Sequence, residues 1–353
     1  MVTELACVPD IGGARAFIEQ NGLTFEEGYD DLVGVHESDE LVAVGARAGN
    51  ILKMLVVEPS RQNGAFLGEV VTDLVGRGFA AGFASLFVFT KPEYATTFEA
   101  LNFSLLASHE RVALLEYGGG LERWLSSNLS LLRKGVNGAV VVNCNPFTLG
   151  HRHLVETASR QVDNLYIFVV REERSEFPFT VRFRLVEEGV RDIPNVLLLD
   201  TSSYAVSGIT FPAYFMKRDD PIALIQMELD LTLFAARIAT FFKISRRFIG
   251  TEPCCTTTSS YNEAMKRLLP VYGLDVVEVP RKETADGVIS ASRVRELLKY
   301  DDLAAIEMLV PGTTLAYLCS AEAAPVREKL RKSNGRDLNE DSEKSAGRHH
   351  AVE

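Results

Sequence analysis

The chain has 353 residues, of which 46% are hydrophobic and 24% charged, and its formal net charge is −11. That length exceeds what one core usually supports, so two domains of roughly 100–200 residues each are expected. The composition is globular rather than disordered, and the acidic balance excludes a broad nucleic-acid surface, so an anionic ligand has to be held locally.

The N-terminal stretch MVTELACVPDIGG has no basic region leading into a long apolar core, so it is not a secretory signal and a cytoplasmic location is expected. Five cysteines, at 7, 144, 254, 255 and 319, are an odd number without zinc spacing and suit a reducing compartment. The Cys254–Cys255 pair reads as small-residue packing rather than a redox element. Apolar runs at Asp31–His36, Leu41–Gly45 and Ile51–Val57, joined at hairpin length, read as strands. Next, Val70, Val71, Leu74 and Val75 place one apolar face on a helix over Gly68–Gly78, followed by a strand over Ser85–Thr90. Residues 1–125 therefore form a mixed α/β domain with an antiparallel first half.

Composition breaks at Tyr117–Gly120, and a helical connector covers Leu121–Arg133. Beyond it, strands over Ala139–Val142, Leu165–Val170, Val196–Leu199, Phe248–Ile249 and Val276–Val279 alternate with helices. Near-continuous apolar strands in such alternation predict a parallel sheet covered on both faces, here a second domain over 136–318. Ligands of such sheets bind beyond the carboxyl ends of the strands. The apolar segment Pro221–Phe242 is interrupted by Glu228, Asp230 and Arg237 and reads as a buried helix, not a membrane span. Residues 326–353 are polar, without apolar periodicity, and read as a flexible tail; His349 and His350 lie there as solvated residues rather than metal ligands.

The chemistry concentrates where the strand Ala139–Val142 ends. The run Asn143-Cys-Asn145-Pro146-Phe147-Thr148-Leu-Gly150-His151 leads into a helix with Leu154, Ala158 and Val162 on one stripe, which sets His151 at a helix N-terminus. Free amides and the positive end of the dipole make such a terminus a phosphate site. Gly150 permits close approach, the His151 imidazole donates to a phosphoryl oxygen, and Thr148 offers a hydroxyl beside it. Cys144 reads as packing, not as a nucleophile. A second helix start at Ile289-Ser290-Ala-Ser292-Arg-Val-Arg295 adds hydroxyls and a guanidinium suited to a leaving pyrophosphate. The charged segment Arg171–Leu185 reads either as a lid carrying Arg182 to a phosphate or as a solvated loop. His153 either joins the site or lies on the surface of the first helical turn.

Thr148-x-Gly150-His151 resembles the T/H-x-G-H signature of the nucleotidyltransferase superfamily, with threonine for the commoner first histidine, and Ile289–Arg295 resembles its I-S-S-T-x-x-R element. Adding Ser175-Glu-Phe177, Ile209–Phe215, Gly250-Thr251-Glu252-Pro253 and Tyr261–Pro270, residues 1–318 resemble the citrate lyase ligase family. The resemblance implies an ATP-dependent ligase that makes acetyl-AMP from acetate and acetylates the prosthetic-group thiol on the acyl-carrier subunit of citrate lyase. It implies roles in catalysis for His151, Thr148 and Arg295. It places ATP against Asn143, Asn145, Pro146, Phe147, Gly150, Gly250, Thr251, Glu252, Ser290 and Ser292, with Mg2+ entering through the ATP phosphates and no protein-held metal. Nucleic acid and membrane partners are not implied. The first domain is similar to GNAT acetyltransferases, with Gln62, Gly64 and Ala65 matching their pyrophosphate turn and Asn102 replacing a usual glycine; it either binds acetyl-CoA or serves as a scaffold. Two alternatives remain: an adenylyltransferase with a phosphopantetheine-type acceptor, and a nucleotide-sensing regulator without catalysis.

Overall fold

A computed structural model describes residues 2–62, 65–171, 175–204, 222–252, 256–285 and 287–332. The chain forms two compact units: residues 1–132, 204–241 and 263–272 make the first, and 133–203, 242–262 and 273–353 the second.

The first unit contains β1 (Val2–Glu4), α1 (Val8–Gln20), β2 (Asp31–Glu37), β3 (Glu40–Ala48), β4 (Ile51–Val57), α2 (Phe66–Ala80), β5 (Leu86–Thr90), α3 (Ala95–Glu99), β6 (Phe103–His109), β7 (Val112–Tyr117) and α4 (Gly120–Ser127). Its sheet runs β1-β2-β3-β4-β5-β7-β6. All pairings are antiparallel except β4 with β5, which touch in parallel only at Ile51–Phe87 and Leu52–Val88. The predicted face of α2 buries Val70, Val71, Leu74 and Val75. Gly45 of β3 lets it settle, since a Cβ there would stand 2.5 Å from Val70 Cγ1. A cavity of about 450 Å3 opens beside the diverging ends of β4 and β5 and includes Gln62 in its lining; Asn63 and Gly64 lie outside the described residues. Asn102 has φ +66°, so the asparagine keeps the left-handed backbone that a glycine would favour.

The apolar segment ending at Phe242 is helical, as α7 (Ile222–Leu233), a π-helical turn (Phe234–Ala239) and α8 (Thr240–Phe242). It belongs to the first unit up to Phe241, although its place in sequence lies between strands of the second. The reason is packing: α7 buries Ile225, Leu229, Leu231 and Leu233 and lies along β6. Glu228 reaches His109 Nε2 at 3.2 Å, and Arg237 donates to the Leu105 carbonyl at 2.8 Å.

The second unit is built on β8 (Asn137–Val142), α5 (Leu149–Ser159), β9 (Asn164–Val169), α6 (Phe179–Val190), β10 (Val196–Asp200), β11 (Ile244–Gly250), α9 (Thr256–Leu268), β12 (Asp275–Val279), α10 (Ala291–Lys299), α11 (Leu303–Glu307) and α12 (Gly312–Cys319). Helix α9 starts in this unit and ends in the other. The predicted parallel sheet is present, in the order β10-β9-β8-β11-β12 with every pairing parallel. From β8 the chain winds outward through β9 and β10, then returns to lay β11 on the opposite side of β8. The crevice beyond β8 and β11 is therefore the topological switch point, where such sheets bind ligands.

One expectation is corrected here. The flexible tail does not begin at 326: residues 324–332 are helical, and Val326 and Leu330, one turn apart, are buried in the core with Leu185, Leu309 and Tyr317. Two apolar residues four apart suffice for a docked stripe. Residues 333–353, with His349 and His350, lie outside the described residues, as do Ile209–Phe215, Pro253 and the Cys254–Cys255 pair.

Candidate active site

Strand β8 reaches the carboxyl edge of the sheet and hands over to the turn 143–148, which carries most of the predicted site. Thr148 is the N-cap of α5, with extended backbone, and its hydroxyl oxygen accepts from the His151 amide at 3.3 Å. In return the Thr148 amide donates to His151 Nδ1 at 3.1 Å. This is a capping box with histidine in the place usually held by glutamate or glutamine. Thr148 Oγ1 also stands 3.0 Å from Nδ1. Because a backbone amide can only donate, Nδ1 carries the lone pair, and the neutral imidazole keeps its proton on Nε2.

Packing around the ring, and secondarily the charge of Arg281, push the His151 pKa down to about 4. At neutral pH the site therefore holds an uncharged imidazole whose one N–H is Nε2–H. The ring stacks on Phe147 at a centroid distance of 5.9 Å, and Phe147 is itself fully buried. Gly189 of α6 provides the room, since a Cβ there would come within 2.4 Å of the Phe147 ring. Thr148, expected as a hydroxyl for phosphate, is buried, and its oxygen accepts from the His151 amide.

The turn is fixed by side chains from the other elements. Asn145, before a cis peptide to Pro146, accepts from the Phe177 amide at 3.0 Å and donates to Glu176 at 2.6 Å. Asn143 donates to Ser175 Oγ at 3.2 Å. Arg182 is neither a lid nor a solvated residue. It is fully buried in α6 and donates to the carbonyls of Asn143, Val170 and Phe177 at 2.7, 2.9 and 3.0 Å and to Asn143 Oδ1 at 2.8 Å. One guanidinium thus binds the ends of β8 and β9 and the segment leading into α6. Cys144 is buried, and burial pushes its thiol up, away from the thiolate a nucleophile would need.

The two signatures, about 140 residues apart, meet. Ser290 caps α10 by accepting from the Arg293 amide at 3.1 Å. A Cβ at Gly150 would lie 2.9 Å from the Ile289 carbonyl, so glycine is what lets the start of α5 approach the start of α10. Arg295 spans the junction: it donates to the Asn145 carbonyl at 2.6 Å and to Ser292 Oγ at 3.2 Å, and lies 3.7 Å from Glu176.

At the end of β11, the Gly250 carbonyl accepts from Asn262 at 2.9 Å, and the Thr251 amide donates to the Val279 carbonyl at 3.0 Å. Glu252 pairs with Arg281, a residue that sequence reasoning missed. The available signal was its position two residues after the last predicted strand, at the same edge. The described residues predicted for the ATP site thus lie in the second unit, about the carboxyl edge of its sheet. Among the described residues no group of three or more His, Cys, Asp or Glu side chains could hold a metal ion, and no described helix is long and apolar enough to cross a membrane. The arrangement offers two capped helix starts with donor amides, a single imidazole donor and a guanidinium across the junction, a set suited to stabilising charge on a phosphate chain.

Two helix starts and an imidazole thus gather at the switch point of a parallel sheet. The sequence profile of the citrate lyase ligase C-terminal domain matches residues 137–318. Over 309 residues the chain is 38% identical to the citrate (pro-3S)-lyase ligase of Klebsiella pneumoniae, covering 86% of this chain and 90% of that one. The chain belongs to the citrate lyase ligase family. Among solved structures, a nicotinate-nucleotide adenylyltransferase of Vibrio parahaemolyticus aligns with 56% of this chain and 98% of its own, at 16% identity and a TM-score of 0.35. A GNAT-family acetyltransferase of Desulfovibrio desulfuricans aligns with 33% of this chain and 98% of its own, at 18% identity and a TM-score of 0.28.

Proposed function

We propose that the protein is an ATP-dependent acid–thiol ligase that activates citrate lyase by acetylating the prosthetic-group thiol of its acyl-carrier subunit. In this reading the acetate carboxylate attacks the α-phosphorus of ATP, forming acetyl-AMP as the bond to pyrophosphate breaks. The carrier thiol then attacks the acetyl carbonyl, a thioester forms, and AMP leaves. The observation that carries the reading is the junction at Gly150 and Ile289, which brings the His151 and Ser290 helix starts together within a chain of this family.

Each residue has a role that follows from its contacts. Nε2–H of His151, aimed by Thr148, donates to a phosphoryl oxygen and strengthens its hold as charge grows there. At the start of α5 the Thr148, Leu149 and His151 amides are already bonded, so the Gly150 amide there joins the start of α10 in receiving the phosphate chain, and Arg295 follows the departing pyrophosphate. The turn at Asn143, Asn145, Pro146 and Phe147 holds this geometry, while Gly250, Thr251 and Glu252 border the nucleotide on the β11 side. Positioning and charge stabilisation supply the rate, with no protein nucleophile. Magnesium ion, carried in by the ATP phosphates, would neutralise part of their charge. The reaction requires a compartment supplied with ATP, and a cytoplasmic location suits it.

The test is exchange of labelled pyrophosphate into ATP. Exchange that requires acetate, followed by acetylation of the carrier thiol, is the expected result. Exchange that ignores acetate but responds to dephospho-CoA-type acceptors would sink the ligase reading.

A further inference from the structure

We propose that Arg281 is a second cation for the phosphate chain of the bound nucleotide, with Glu252 as the carboxylate that holds it ready. The inference rests on the nucleotide-binding reading above and adds a ligand contact to it.

Position comes first. Arg281 follows β12 at the carboxyl edge of the sheet, beside the end of β11, and β11 is the neighbour of β8, whose turn leads to His151. Arg281 and Arg295 therefore approach the crevice from different elements. Arg295 comes from α10 and is tied to the turn after β8; Arg281 is tied to the end of β11.

Rigidity comes second. The Arg281 amide donates to Thr251 Oγ1 at 3.1 Å, its Nε donates to the Thr251 carbonyl at 2.5 Å, and its Nη2 pairs with Glu252. Among the described residues Nη1 has no hydrogen-bond partner, and the side chain keeps 27% of its surface exposed. A guanidinium fixed on one side and open on the other is a pre-organised donor for an oxyanion. Glu252 is only 7% exposed, which a carboxylate tolerates when it is paired, and Arg281 is its partner.

Charge comes third. With His151 neutral, the imidazole brings a donor but no net charge, while ATP brings several negative charges. Arg281, at the same carboxyl edge of the sheet, supplies the charge the imidazole lacks.

The competing role for Arg281 is that of a pin for the β11–β12 edge, and a ligand series separates the two. Dissociation constants for adenosine, AMP, ADP and ATP are measured by calorimetry on the full chain, without acetate or carrier, for the wild type, Arg281→Met, Arg281→Lys and Glu252→Gln. The expected result is adenosine unchanged within about twofold and ATP weakened roughly 10- to 100-fold by Arg281→Met, the scale of one lost charge-assisted hydrogen bond. Arg281→Lys recovers part of the loss, and Glu252→Gln, which keeps the side-chain shape, weakens ATP but not adenosine. Thermal unfolding of each variant checks that it is folded. Equal losses for adenosine and ATP, or no loss for either in a folded Glu252→Gln and Arg281→Lys pair, overturn the proposal. Because no turnover is involved, failure of the acetate chemistry leaves this test standing; a wild-type chain that binds no ATP overturns both readings.

Discussion

At the scale of single residues, the site is organised around the tautomer of His151. Replacing it with alanine removes the Nε2–H donor, and pyrophosphate exchange should fall about 10²- to 10³-fold, the usual cost of one donor aimed at developing charge. The ring should titrate near pH 4, which a proton NMR titration of its Cε1–H can follow. Since the folded protein binds that proton less tightly than the unfolded chain, the unfolded chain holds more protons between about pH 4 and 6.5. Stability contributed by neutral His151 is therefore present above pH 6.5 and lost as the pH falls through this window. Thr148→Val, which keeps the shape but deletes the hydroxyl, should cost about 1 kcal/mol in chemical denaturation. It should also lower exchange activity by releasing the ring. Sequence placed both residues but assigned Thr148 to the ligand. The i to i+3 spacing of a cap was visible there; what hid the role was that histidine seldom occupies the third position of a capping box.

Elements carry the next level of organisation. Arg182 stitches β8, β9 and the segment leading into α6 through three backbone carbonyls and the Asn143 side chain. Arg182→Met should destabilise the chain by roughly 3–5 kcal/mol in urea unfolding, since it leaves several buried acceptors without donors. Gly150→Ala tests the junction of α5 and α10. Its methyl group would meet the Ile289 carbonyl at 2.9 Å, so the helix starts must part and exchange activity should fall well before stability does. Strong periodicity made many elements legible: β4 occupies the expected Ile51–Val57, and the expected helix over Gly68–Gly78 lies within α2. Helix α1 was not legible, because Pro9, Gly12 and Gly13 dilute its pattern and only Ala14 and Ile18 are buried. Arg182 was hidden by the charges around it. Arg281 meets Thr251 across thirty residues of sequence, through the parallel neighbours β11 and β12, a relation no local pattern encodes.

For the molecule as a whole, composition fixed the class and the number of units, but not their membership. Local hydrophobicity identified α7 as a buried helix without revealing which sheet it covers. A fragment limited to 136–318 would carry Ile225, Leu229, Leu231 and Leu233 away from the unit that buries them. That fragment should be less soluble than the full chain and bind a hydrophobic dye; a monomeric, non-binding fragment would contradict this assignment of α7. The discontinuity also bears on the birth of the protein. At roughly 5–20 residues per second, about 7 to 28 s pass between synthesis of Leu132 and of Tyr272, the last residue of the first unit. For most of that interval β6 lacks the helix α7 that covers it, and the first unit stays incomplete while much of the second is being made. Growing chains of this protein should therefore engage ribosome-associated chaperones for longer than a chain whose domains follow one another in sequence.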